Sequence, residues 1–202
     1  EFAGERQHPA QAVGGKTVHL GACTRGEAEF HVVPQVFRGI AAEEATAASM
    51  RRGIILHRLG DFTGSQEAFR MTVRLDPDKQ GTYAQLISFL VIEGRLEDAK
   101  EFYRLAYNQD QIEDMWKIYY SLWVEGLSKL TGKGSFDLAG GYLENSRGDT
   151  WQDKLASFFS GDITIDALRN EASSTGQLVE ADYYGAIVAL VNGKSDEARA
   201  LA

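Results

Sequence analysis

The stretch of sequence that most resembles a catalytic motif is AQAVGGKT, at residues 10–17. It fits the phosphate-loop pattern GxxxxGK[ST], except that Ala10 replaces the first glycine. A phosphate loop requires a strand before it and a helix after it, so that backbone N–H groups converge on the phosphate at the helix N-terminus. The preceding GERQHP does not predict a strand, and the following VHLGACTRG does not predict a helix. We therefore interpret the match as a coincidence and predict no nucleotide cofactor.

Other residues with catalytic or metal-binding side chains lack the partners that such chemistry needs. The sequence GKGS at residues 132–135 also resembles part of a phosphate loop, but its lysine is followed by glycine. His19, Cys23 and His31 are possible zinc ligands in type, but structural zinc needs four ligands that usually come in close pairs. His57 has no titratable partner at a spacing typical of a catalytic triad. The sequence therefore predicts no metal site, no cofactor and no enzymatic activity.

The composition limits the classes of function. The chain has 202 residues, enough for a sizeable core, with 44% hydrophobic and 25% charged residues. Its formal net charge of −8 argues against nucleic acid as the main partner, because phosphate binding needs clustered Lys and Arg. No apolar run approaches the roughly 18–20 residues of a membrane span. We therefore expect a protein that neither binds nucleic acid nor spans a membrane.

The sequence repeats itself after residue 41. Residues 49–77 and 83–109 align with an offset of 34 residues, the distance from Gly60 to Gly94. Each repeat has the helical spacing of two helices that form a hairpin, so the glycines are expected in the left-handed conformation that ends the first helix of each pair. Residues of similar type recur at the equivalent positions: Gly60 with Gly94, Phe62 with Leu96, Ser65 with Ala99, Phe69 with Tyr103, and Thr72 with Ala106.

The pattern weakens on both sides of these two repeats. We predict an extended N-terminal arm at residues 1–40, two hairpins at 41–111 and divergent helical hairpins at 112–202. A helical pair turning at Gly161 and Asp162 is expected within the last region. The predicted fold is all-α, an open solenoid of three to four helical hairpins with an irregular N-terminal arm.

The central repeats resemble those of the tetratricopeptide-repeat (TPR) superfamily. The C-terminal part resembles the tail of bacterial envelope TPR lipoproteins, which are periplasmic adaptors, and of related TPR proteins of organelles such as the thylakoid lumen. This resemblance implies an extracytoplasmic or organellar-lumen location, in the bacterial periplasm or the thylakoid lumen. The residues that carry it are Trp151, Phe158, Phe159, Gly161, Ile163, Leu168, Ala172, Glu180, Ala181, Tyr183, Tyr184, Gly193 and Ala198.

A concave groove lined by the first helix of each repeat is the predicted binding site in this architecture. Because Arg51 and Arg58 give this groove a basic edge, we expect it to bind an extended or helical peptide with some negative charge. A second possibility is that the N-terminal arm folds back and fills the groove itself. The groove-facing residues are expected to be Met50, Arg51, Ile54, His57 and Arg58 in the first repeat, and Ala84, Ser88, Val91 and Ile92 in the second.

Two functions are consistent with the predicted fold and groove. The first is a non-enzymatic scaffold or adaptor that binds other proteins through its groove and its arm. The second is a permanent accessory or assembly subunit of a large membrane-associated complex, for example in a thylakoid or another organelle membrane. An aromatic cluster could contribute to either, as a binding surface or as packing between hairpins. It comprises Phe102, Tyr103, Tyr107, Trp116, Tyr119, Tyr120 and Trp123.

Overall fold

The fold is all-α, as the sequence predicts. A computed structural model describes the backbone of residues 32–201 and the side chains of residues 41–201, and in this part of the chain it contains ten helices and no strand. The helices are α1 (Val32–Arg58), α2 (Phe62–Leu75), α3 (Gln80–Ile92), α4 (Leu96–Tyr107), α5 (Asp114–Leu130), α6 (Asp137–Asn145), α7 (Trp151–Ser160), α8 (Ile165–Glu171), α9 (Thr175–Val191) and α10 (Ser195–Leu201).

Consecutive helices form five neighbouring pairs, more than the three to four hairpins expected. The two C-terminal pairs, α7–α8 and α9–α10, have second helices of only seven residues each. The second helix of a pair also contacts the first helix of the next pair, from α2 on α3 to α8 on α9. First helices of successive pairs also contact each other, α3 with α5, α5 with α7 and α7 with α9, and α9 packs on α5 as well.

Glycines end the first helix of each repeat, as predicted. Gly60 has φ 81° and Gly94 has φ 68°, values in the left-handed region that glycine adopts without steric cost. Gly161 has φ 87° and ends α7, which confirms the predicted turn between α7 and α8. Asp76 caps the C-terminus of α2, where the following proline cannot continue a helix.

The first pair is held by a close helix crossing. A Cβ atom on Gly53 of α1 would lie 2.3 Å from the ring of Phe69 of α2, so only glycine allows this approach. The Ser49 hydroxyl of α1 donates a hydrogen bond of 2.8 Å to the carbonyl of Ala68 across the same interface. Ser65 and Ala99, the small residues at equivalent positions of the two repeats, are both fully buried.

The buried residues form two core clusters that share α5. Tyr120 and Val124 of α5 belong to the first cluster, together with residues of α1 to α4 and α6. Ile118 and Leu122 of α5 belong to the second cluster, with residues of α6 to α9. Trp123 packs against both. Helix α5 therefore joins the regular repeats to the divergent C-terminal helices.

The beginning of α1 differs from the sequence-based expectation. Residues 32–40, which we expected in the extended arm, form the first turns of this helix. Pro34 is compatible with a helix here, because N–H groups of the first turn have no intrahelical acceptor. The AQAVGGKT motif and the candidate zinc ligands His19, Cys23 and His31 lie outside the described residues.

Candidate functional site

An apolar pocket lies between α3, α5 and α9 and is here called the trough. Its volume is roughly 410 Å³. Residues three or four positions apart on a helix share one face, and each of the three helices contributes such a set. The trough is lined by Ser88, Val91 and Ile92 of α3, Tyr119 and Trp123 of α5, and Val179, Glu180, Tyr183 and Tyr184 of α9.

The rim of the trough exposes large apolar side chains, whereas its floor is buried. Ile92 is 81% exposed, and Val179 and Tyr183 are both more than half exposed. Tyr184, in contrast, is buried in the second core, and its hydroxyl accepts a hydrogen bond of 3.1 Å from Nε1 of Trp123. Single exposed leucines and isoleucines are common on protein surfaces. Several exposed apolar groups around a concave site are instead typical of a surface that binds another molecule.

A carboxylate lies among these apolar residues. Glu180 Oε1 accepts a hydrogen bond of 3.1 Å from the Tyr119 hydroxyl, and Glu180 Oε2 accepts one of 2.5 Å from Nε1 of Trp151. Gln152 orients the tyrosine, because its Nε2 donates to the Tyr119 hydroxyl at 3.2 Å. These bonds join α5, α7 and α9 and fix the carboxylate at the wall of the trough.

Burial favours the neutral, hydrogen-bonding form of Tyr119 and Tyr184. Burial raises the pKa of Tyr119, an effect larger than that of its hydrogen bond with Gln152, which lowers the pKa. It also raises the pKa of Tyr184, well above the ordinary range for tyrosine. Both hydroxyls are therefore protonated at neutral pH, and Tyr119 acts as a hydrogen-bond donor toward Glu180.

The predicted groove residues of the second repeat largely lie in the trough. Ser88, Val91 and Ile92 line it, while Ala84 packs against the first core. That these residues bind a partner remains a prediction.

The predicted groove residues of the first repeat lie elsewhere. Met50 is buried in the first core and Ile54 packs against it, while Arg51 and Arg58 are exposed. None of these residues lines the trough. Side chains of α1 contact α2 and α3, as Ser49 does with Ala68 and His57 with Phe89, whereas the trough forms further along the chain, where α9 reaches α5.

His57 takes part in a contact between the first two repeats. Arg95 donates to its Nδ1 at 3.1 Å, so Nε2 carries the proton and donates to Glu93 at 3.1 Å. The imidazole also packs on the rings of Phe62 and Phe89. With its side chain only 9% exposed, His57 joins the two turns that follow α1 and α3.

No protein-family model matches this chain, and no curated protein matches it significantly.

The aromatic cluster divides between the core and the trough. Phe102, Tyr103 and Tyr120 are buried packing residues. Tyr119 and Trp123 lie at the boundary of core and trough, with ring centroids 6.2 Å apart in a stacked arrangement. Tyr119 and Trp123 therefore supply aromatic surface to the trough.

The GKGS sequence lies in the loop between α5 and α6, and this loop is hydrogen-bonded to a buried carboxylate of α5. The Ser135 hydroxyl and the Phe136 N–H each donate to the carboxylate of Glu125 at 2.7 Å. Lys129 of α5 lies 3.2 Å from the same carboxylate. The Ser135 hydroxyl and the Phe136 N–H are thus already bonded to an acid.

Neither a candidate metal site nor a candidate membrane-spanning helix is present in the described residues. No group of three or more His, Cys, Asp or Glu side chains there is placed to hold a metal ion. None of the described helices combines the length and the apolar character needed to cross a membrane.

Sequence reasoning did not place α9 in the site. Val179 was not singled out, and Glu180, Tyr183 and Tyr184 were noted only for the resemblance of the C-terminal part. The available signal was their spacing, which puts all four on one helix face with a single carboxylate among apolar residues. Chemically, this arrangement offers apolar contact, aromatic faces and one hydrogen-bonded negative charge.

Proposed function

We propose that this protein is a non-enzymatic scaffold of the TPR type that binds partner polypeptides in the trough between α3, α5 and α9. An extracytoplasmic or organellar-lumen location is part of this proposal and derives from the resemblance of the C-terminal region. The observation that carries the proposal is the trough itself, a concave surface whose rim exposes Ile92, Val179 and Tyr183 to solvent.

The repeat geometry supports the TPR assignment. The two turns that follow α1 and α3 have left-handed glycines 34 residues apart, Gly60 and Gly94. The second helices begin at the same offset, at Phe62 and Leu96. Side chains that pack between helices are buried at equivalent positions of both repeats, as with Phe69 and Tyr103. Stacked hairpins of this kind present extended concave surfaces suited to polypeptides.

A peptide-display selection on the full chain tests the function. Peptides selected on the wild-type protein are expected to bind about tenfold more weakly to Ile92→Gln, because the isoleucine loses its apolar contact with the peptide. Leu59→Gln is the matched control, since Leu59 is 76% exposed but lies outside the trough. Affinities are measured by fluorescence anisotropy. Failure to select any peptide, or equal binding to both variants, would contradict the proposal.

The same pair of variants addresses the alternative function of a permanent accessory subunit. The observation that favours it is a second group of exposed apolar side chains, Ile55, Leu59 and Phe62, at the junction of α1 and α2. If the protein is isolated in a stoichiometric complex, Leu59→Gln is expected to release it from that complex, whereas Ile92→Gln is not. Size-exclusion chromatography of the two variants from native extract distinguishes these outcomes.

A further inference from the structure

The trough contains one acidic side chain and no basic one among its lining residues. Of the residues that line it, Glu180 is the one Asp, Glu, Lys, Arg or His. Within residues 41–201, no Lys, Arg or His nitrogen lies within the 4.0 Å of an ion pair with this carboxylate. The described ion pairs involve other acids, including Asp182 of the same helix, which pairs with Arg169.

The bonding of Glu180 leaves room for a further donor. A carboxylate has about four lone-pair sites on its two oxygens. Tyr119 and Trp151 occupy part of this capacity with neutral donors. These donors fix the position of the carboxylate without neutralising its charge.

This charge decides which kind of polypeptide the trough favours. An apolar segment that covered the trough would remove water from Glu180 and leave a desolvated charge without a counter-ion, which is costly. A segment with a basic side chain at this point replaces the lost water with a charge-assisted hydrogen bond. The faces of Trp123 and Tyr183 beside it are also favourable surroundings for a cation.

We propose, building on the proposed function, that the trough binds a polypeptide segment that presents a lysine or arginine to Glu180 between apolar side chains. Glu180 selects the segment, and the apolar rim of Ile92 and Val179 supplies its contact area. This chemistry is opposite in sign to the acidic peptide expected from Arg51 and Arg58, because those two arginines do not line the trough.

Three synthetic peptide libraries test the inference on the full chain. They are identical and random except for one fixed central position, which is arginine, its neutral isostere citrulline, or glutamate. Affinity selection with mass spectrometry is expected to retain arginine peptides about tenfold more than citrulline peptides, and glutamate peptides least. Because the citrulline exchange is made in the peptide, the folded protein is unchanged in this comparison.

The best arginine peptide is then measured against protein variants. Glu180→Gln is expected to weaken its binding about tenfold and to abolish the preference for arginine over citrulline. Glu67→Gln, at an exposed position of α2 outside the trough, is the control and should leave binding unchanged. Circular dichroism confirms that both variants remain folded.

The outcomes separate this inference from the function on which it rests. Equal retention of arginine and citrulline peptides, both sensitive to Ile92→Gln, would overturn the inference and leave binding in the trough standing. Retention of no peptide would overturn both. Concentration-dependent dimerisation that is lost in Glu180→Gln would assign the trough to a second copy and would overturn the inference.

Discussion

The first two helical pairs, α1 to α4, and the remaining helices, α5 to α10, use the same hairpin unit in different ways. In the first region, three-residue turns contain a left-handed glycine at the same place, Gly60 and Gly94. In the second region, helix lengths range from seven to 17 residues, and α9 packs on three earlier helices, α5, α7 and α8. The regular region thus provides one wall of the trough through α3, and the irregular region provides the rest. The departure from regularity therefore creates the candidate site.

The turn between α5 and α6 differs from the three-residue glycine turn of the repeats, which recurs in the second region only between α9 and α10, at Gly193. It spans residues 131–136 and has two left-handed glycines, Gly132 and Gly134. Its polar groups bond to the buried carboxylate of Glu125 in α5. A side chain thus organises this turn, whereas backbone conformation organises the turns of the repeats.

The substitution with the largest expected effect, Phe69→Ala, tests whether the two regions have separate cores. Phe69→Ala should destabilise the protein by about 3–5 kcal/mol, because it removes a ring that is 1% exposed and fills the crossing at Gly53. Amide protection should fall more in α1 to α4 than in α7 to α10, since Phe69 belongs to the first core cluster only. Chemical denaturation and hydrogen exchange measure the two effects.

Phe62→Ala is the matched control for this prediction. Phe62 lies on the same helix but is 52% exposed, so the expected loss is below about 1 kcal/mol. A uniform loss of protection from α1 to α10 in Phe69→Ala would show that α5 couples both cores into one cooperative unit, and the proposed separation would be wrong.

The next effect in size concerns Glu125. Glu125→Ala should cost about 2–3 kcal/mol, because it leaves the Phe136 N–H without its acceptor and opens a cavity at a fully buried position. Glu125→Gln keeps the shape and one acceptor, and should cost less. Thermal unfolding gives the ranking, and a Glu125→Ala protein as stable as wild type would show that the carboxylate does not organise the turn.

Local signals in the sequence were sufficient to predict the turns and some of the core residues. Gly60, Gly94 and Gly161 could be placed because a left-handed residue at a helix end strongly favours glycine. Phe69 and Tyr103 could be placed in the core because they recur at helical spacing within a repeated unit. Both kinds of signal depend on residues close together in the chain.

The candidate site could be predicted only in part, because it depends on contacts between distant residues. Tyr119 and Glu180 are 61 positions apart, and the short α7 and α8 between them keep little of the repeat pattern. The equivalence of repeats therefore predicted a groove that includes α1. Three of the α3 residues predicted for the groove line the trough, whereas the part of α9 could be predicted only with knowledge of how α5 and α9 pack.

The smallest expected effect tests the equivalence of the first two repeats. Gly60→Ala and Gly94→Ala should each destabilise the protein by about 1 kcal/mol, because alanine is strained at positive φ although neither position is crowded. Gly81→Ala is the control: it lies in α3 with open space around it, so alanine should stabilise the helix by about 0.5–1 kcal/mol. Chemical denaturation of the three variants gives the comparison. Unequal losses at Gly60 and Gly94, differing by more than about 0.5 kcal/mol, would mean that the two turns are not equivalent, since independent sites of the same geometry should give the same strain.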